Sequence, residues 1–317
     1  MNSIYKFLHK LFKRENNWYN EQYVQFRDQE ANDYVRKCIA NALNTHSGFM
    51  ISKWGTIELG TTCCLLSREL KIPVKAKILG EIGYDKHSAI DWLCKNAGFF
   101  PNDIKSGKRF AHMALDDASQ IDILGSYIDK EKYIQGYLKN SVKVNLDGYY
   151  APFLWQNPWT MELKGRRVLV VHPFADTIER QYKNRSRLFQ DQNVLPEFES
   201  LTIIKAVQSI AGNGVATGYK NWFEALNAMK RQMDKIDYDV ALIGCGAYGM
   251  SLAAHAKRQG KVAVHLAGWT QMLFGIYGNR WLNDQPQYAK YINEYWVRPS
   301  CSEKPQGAEK VENACYW

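Results

Sequence analysis

Residues 237–275 read DYDVALIGCGAYGMSLAAHAKRQGKVAVHLAGWTQMLFG. Residues 240–243 are a short apolar run with a β-branched bias, bounded by glycine, the pattern of a buried strand. Gly244, Gly246 and Gly249 follow as a G-x-G-x-x-G turn. Residues 251–259 predict a helix that Gly260 ends, and residues 261–265 a second strand. Strand, glycine turn, helix, strand is one βαβ unit. Its handedness places it in a mostly parallel sheet flanked by helices.

Glycines let backbone approach a ligand closely, and the helix that follows aims free N–H groups and its positive dipole end at that point. The turn therefore suits a phosphate. The same pattern also serves a tight strand-to-helix turn that needs glycine only for packing. A dinucleotide site expects an acid at the end of the next strand to hold the ribose. Here that strand ends in His265-Leu266-Ala267-Gly268, which argues against NAD and leaves a nucleotide diphosphate open.

Outward from this unit, other junctions repeat the theme. Residues 49–53 predict a first strand, Trp54-Gly55 turns the chain, and Thr56 is placed to cap a helix reaching residue 70. Glu58 then sits in the first helical turn at a strand end, where open α/β sheets bind ligands. It can serve as base, metal ligand or hydroxyl-binding carboxylate, or simply complement the helix dipole. Residues 165–171 predict another strand. His172 follows, and Asp176 with Glu179 has the spacing of a capping box. That puts His172, Thr177 and Gln181 at a second junction, where a histidine can donate to a phosphate or act as an acid. Residues 183–188, KNRSRL, add three cations nearby. After residue 265, Gly268, Thr270 and Gln271 open a further strand-to-helix turn, and Gly278-Asn279-Arg280-Trp281 makes a basic, aromatic one. Tyr248 lies within the glycine loop. In a parallel sheet these turns share one edge and together form a candidate cleft.

The remaining segments say less. Residues 31–43 and 222–236 predict helices, the latter capped by Asn221. Residues 121–139 predict a helix, and residues 197–211 a helix or a strand followed by one. Asp116 and Asp117 face different ways on a helix and fit a solvated face. The stretch YYAPFLWQNPW at 149–159 fits either a stacking wall for a sugar or a loop packed over the core. Residues 1–14, within an N-terminal extension of about residues 1–18, set Ile4, Phe7, Leu8, Leu11 and Phe12 on one helical face and Lys6, Lys10, Lys13 and Arg14 mostly on the other. That basic amphipathic helix fits a membrane surface or packing on protein. The remainder, 19–317, reads as one domain with its βαβ core at about 165–275.

Composition narrows the function. The 317 residues are 46% hydrophobic, with no apolar run long enough to span a bilayer. A net charge of +9 favours anionic partners. The cations are dispersed and no nucleic-acid motif appears, so nucleic acid is not an expected partner. Seven cysteines without C-x-x-C or zinc spacing fit a reducing cytoplasm.

The stretches SKWGTIELG, VHPFADTIERQY, LPEFE, YKNWFEAL, YDVALIGCGAYGMSLAAHAKRQGK and HLAGWTQMLFGIYGNRW resemble proteins of bacterial surface-polysaccharide (capsule and O-antigen) gene clusters. Those are similar in turn to the GT-D class of glycosyltransferases. The resemblance covers about residues 48–317 and is closer in the C-terminal half. It implies a Rossmann-like domain that moves a sugar from a nucleotide-diphosphate donor, a UDP-sugar foremost, to a saccharide or lipid-linked saccharide acceptor. It further implies a cytoplasmic enzyme, peripheral at the inner membrane through residues 1–14. The family's Asp-x-Glu element, tied to a divalent metal and the donor, falls on Thr56-Ile57-Glu58. Glu58 would act as base or contact the sugar and is the one candidate ligand for Mn²⁺ or Mg²⁺. A threonine in place of the first carboxylate weakens any such metal site. Lys53, Arg185 or Arg280 would then stabilise the leaving diphosphate. Donor binding is expected of Gly55, Thr56, His172, Thr177, Gln181, Gly244, Gly246, Tyr248, Gly249, Gly268, Thr270, Gln271 and Arg280. An NAD(P)-type oxidoreductase and a non-catalytic scaffold of a polysaccharide-assembly complex are the alternatives.

Overall fold

Seven runs of apolar, largely β-branched sequence pair side by side in one sheet, every pairing parallel. They are β1 (Phe49–Ser52), β2 (Ile123–Gly125), β3 (Val142–Val144), β4 (Arg167–His172), β5 (Ser200–Lys205), β6 (Val240–Ile243) and β7 (Val262–His265), in the spatial order β3-β2-β1-β7-β6-β4-β5. The computed structural model describes residues 7, 8, 11, 12 and 24–317. The fold is α/β and Rossmann-like, as expected, with a wholly parallel sheet.

The central strands β1 and β7 are hydrophobic at all but their last positions, and β6 throughout, because both faces are covered. Along β6, Val240 and Leu242 enter one core and Ala241 and Ile243 the other. Helices α1 (Asp28–Asn44), α5 (Ala175–Lys183) and α8 (Trp269–Leu273) pack on the first face. Helices α2 (Thr56–Leu65), α3 (Lys86–Ala97), α4 (Ile104–Ala118), α6 (Trp222–Met233) and α7 (Gly249–Arg258) pack on the second. The helices leaving β1 and β6 thus go to one face, and those leaving β4 and β7 to the other. Neighbouring strand ends therefore diverge and open a crevice above the carboxyl edge, where such sheets take ligands.

Several sequence expectations change. Residues 121–139 are not a helix: β2 pairs with β1 and β3, and 3-10 turns follow at Asp129–Tyr133 and Gln135–Tyr137. The turn is held by buried Glu131, whose carboxylate accepts the N–H groups of Tyr127 and Ile128, each at 3.2 Å. Residues 200–205 take the strand option, as β5. Asp117 is not solvated; it is buried against Arg258 at 2.8 Å, and burial raises its pKa. Of the aromatic stretch at 149–159, Tyr149, Tyr150 and Trp159 are core residues, with Trp159 Nε1 donating to Tyr149 O at 2.8 Å. In the expected N-terminal amphipathic stretch, Phe7, Leu8, Leu11 and Phe12 are helical, and Phe7, Leu11 and Phe12 are exposed. Its other positions lie outside the described residues. No helix among the described residues is long and apolar enough to cross a membrane.

Candidate functional site

A cavity of about 210 Å³ lies over the carboxyl ends of β1, β4, β6 and β7. From β1 come Lys53, Gly55, Thr56 and Glu58. Gly55, not Thr56, occupies the helix N-cap, and Thr56 is the first helical residue. Glu58 folds back over this turn: a Cβ on Gly55 would fall 1.8 Å from Glu58 Oε2. Neither the Glu58 carboxylate nor the Lys53 ammonium forms an ion pair among the described residues, although Lys53 lies 5.7 Å from the Tyr127 ring centroid. Among the described residues the site thus holds a carboxylate and an ammonium without an ion-pair partner.

His172 ends β4. Its Nδ1 accepts the Phe174 N–H at 3.0 Å, and burial drives its pKa down to about 3. A neutral ring with Nδ1 accepting carries its proton on Nε2, so His172 offers the cavity a fixed N–H donor. In this state the ring is a neutral hydrogen-bond donor. His265 ends β7 and is also held near pKa 3, by burial first and by the Lys53 charge second. Its Nδ1 meets Ser52 Oγ at 2.9 Å, while Nε2 has no partner. Gln271 Oε1 and Trp317 Nε1 are two further buried polar atoms on residues of this wall that lack a partner. Among the described residues these three buried polar atoms, on residues that line the cavity, have no hydrogen-bond partner, which buried polar groups ordinarily do.

Packing within the protein also requires the glycines of the turn. A Cβ on Gly244 would meet Ala267 O at 2.3 Å and Thr270 Oγ1 at 2.4 Å; one on Gly249 would meet His265 Nε2 at 2.2 Å. Gly246 has φ +58° and lies against Ala97 O. Each glycine makes room for the protein's own atoms. Gly244 and Gly246 still line the cavity, whereas Gly249 supports His265 from behind.

The structure divides the remaining expected residues. Tyr248, Gly268, Gln271 and Arg280 reach the cavity. The Tyr248 ring stacks on Trp222, centroids 5.0 Å apart. Ser209 Oγ donates to Gly98 O, so at 2.9 Å from Tyr248 OH it accepts that proton. Tyr248 is thus a braced wall. Besides Gly249, three expected binders do not line the cavity. Thr177 instead donates its hydroxyl to the buried Glu303 carboxylate, which also accepts the N–H groups of Asp176 (2.8 Å) and Thr177 (3.2 Å). Glu303, 124 or more residues along the chain, therefore supplies the cap expected of Asp176 and Glu179. Gln181 donates to Gly275 O and Tyr295 O, both at 3.0 Å. Thr270 donates to Ala267 O at 2.9 Å. Among the cations at 183–188, Lys183 pairs with Glu179 and Arg185 with Glu197 (3.0 Å), and neither lines the cavity.

Tyr127, Ser209, His265, Glu312 and Tyr316 line the cavity without having been singled out. Tyr127 lay in the supposed helix and Ser209 in an ambiguous stretch; Glu312 and Tyr316 belong to a tail without periodicity. Only His265, at a recognisable strand end, carried a local signal.

A divalent cation fits this donor set poorly. Among the described residues no three His, Cys, Asp or Glu side chains come together in a metal-holding group. Position 56 offers a hydroxyl beside Glu58, and Lys53 and Arg280 already bring positive charge. Comparisons with protein-family models, with curated proteins and with solved structures find no match for this chain.

Proposed function

We propose that this chain is a glycosyltransferase that moves a sugar from a nucleotide diphosphate to a saccharide acceptor in surface-polysaccharide assembly. The observation that carries the reading is the Glu58 carboxylate, unpaired among the described residues, sharing one strand-end cavity with Lys53, Arg280 and the His172 Nε2–H donor. Transfer needs a base for the acceptor hydroxyl and positive charge for the departing diphosphate. Glu58 takes the hydroxyl proton. Lys53 and Arg280 stabilise the leaving phosphates, with Arg280 suited to bidentate contact. His172 donates one neutral hydrogen bond to a phosphate or hydroxyl oxygen. No step is assigned to a metal. In this reading the protein works on the cytoplasmic side of the membrane, with the exposed apolar residues Phe7, Leu11 and Phe12 turned to the lipid surface.

A thermal-shift panel of UDP, GDP, CMP and NAD, each with and without Mn²⁺, tests it. A ligand at about 100 times its Kd adds roughly 2.7 kcal/mol, or about 4 °C for a chain of this size. One nucleotide diphosphate should stabilise the protein, and Glu58→Gln should keep that shift while abolishing transfer. Stabilisation by NAD alone would point to an oxidoreductase. Full transfer activity in Glu58→Gln would remove Glu58 from the mechanism, and the absence of any nucleotide shift would favour a scaffold.

A further inference from the structure

The outer wall of the cavity is built by the chain's last residues. Tyr316 packs over Gly268, where a Cβ would fall 2.5 Å from its ring, and over Gly278. The Arg280 guanidinium lies 4.5 Å from the Tyr316 ring centroid and forms an ion pair with Glu312. Arg280 N–H also donates to Cys315 O at 2.8 Å. To bring Glu312 onto Arg280, three consecutive non-glycine residues adopt left-handed backbone: Glu312 (φ 44°), Asn313 (φ 55°) and Ala314 (φ 58°). L-residues disfavour this region individually and do not normally string it together. Such a turn persists only where its surroundings hold it, and here the holding contacts include Glu312 and Tyr316 on Arg280, with hydrogen bonds from Asn279 N–H to Trp317 O (3.2 Å) and from Gln271 Nε2 to Tyr316 O (3.2 Å).

Two further observations point the same way. The cavity, about 210 Å³, falls short of the roughly 300–1,000 Å³ usual for small-molecule sites. Trp317 Nε1, on the same segment, is buried without a partner. We propose that residues 311–317 form a latch in which the Glu312 carboxylate occupies, on Arg280, the place of a ligand's phosphate. A diphosphate exchanges with Glu312, and the strained turn then relaxes and enlarges the cavity. The exchange is between two anions on one cation and makes or breaks no covalent bond. The identity of the ligand rests on the nucleotide-diphosphate reading above; the exchange itself does not.

The test uses the full chain and inorganic diphosphate, with affinity from calorimetry and exposure of residues 308–317 from hydrogen exchange. A half-exposed ion pair competes by at most a factor of about 5, so Glu312→Gln should bind diphosphate up to about 5-fold tighter. Ala314→Gly, which makes the left-handed turn easier, should hold the latch closed and bind more weakly. Diphosphate should speed exchange in the tail of the wild-type protein. Unchanged or weaker binding by Glu312→Gln, tighter binding by Ala314→Gly, a tail unresponsive to diphosphate, or no diphosphate binding at all would each overturn the latch. Opposite effects of the two variants, with no nucleotide diphosphate bound, would uphold the latch and remove the transferase reading instead.

Discussion

His172 ends β4 and His265 ends β7, on either side of β6, and burial holds both rings neutral with pKa values near 3. The unfolded chain binds these protons near the ordinary histidine value of about 6.5. A folded pKa below the unfolded one means that the unfolded state takes up the proton first as pH falls. Stability is therefore complete above about pH 6.5 and declines from there toward pH 3. At pH 4.5, roughly 2 pH units below the unfolded value, each ring costs on the order of 2–3 kcal/mol. The pair together removes about 5 kcal/mol, comparable with the whole stability of many domains. Urea unfolding at several pH values between 7.5 and 4.5 reads this directly. His172→Asn and His265→Asn, which keep an acceptor or donor at the Nδ1 position, isolate the two contributions: each variant should show a shallower fall with pH than the parent, whatever its stability at pH 7.5. Equal slopes in parent and variants, or imidazole resonances of either residue titrating near pH 6 in the folded protein, would refute the argument. So would His172 binding a ligand as an imidazolium.

Two further perturbations address the scaffold around the site. In Gly249→Ala the new methyl group would lie 2.2 Å from His265 Nε2, on a ring already tied to Ser52, so the core is overpacked by about 1–3 kcal/mol; thermal melting without ligand should fall by about 2–4 °C, and an unchanged melting temperature would show that the ring is free to move. Glu303→Ala removes the carboxylate that caps α5 from a distant part of the chain and leaves the Thr177 hydroxyl proton without its acceptor; a loss of about 2 kcal/mol is expected in urea unfolding, whereas Asp176→Ala, the residue that local spacing nominated as cap, should cost less.

The chain's own pattern determined the architecture. The runs at 240–243 and 262–265 could only be buried parallel strands, because both faces of each are apolar and a glycine turn and a helix separate them. The same reasoning placed Glu58, His172, Gly244, Gly246, Gly268 and Gln271 at strand ends, and a parallel sheet brings such ends to one edge regardless of detail. Arg280 was found from its basic, aromatic turn. What local pattern does not contain is which polar groups are already spent. Thr177, Gln181 and Thr270 have the chemistry of binders, yet each is satisfied by backbone or by Glu303, partners that only chain folding supplies. The glycines of the loop read as space for phosphate; their close packing on Ala267, Ala97 and His265 is a second reason for them that only the fold reveals. Tyr127 reaches the cavity from a segment whose local pattern reads as helix, and Glu312 and Tyr316 from a tail without a period, because a sheet pairing or a long-range contact on Arg280 holds them there. Periodicity reports which side of an element is buried; the identity of the partner across a turn or at the far end of the chain is a property of the assembled fold alone.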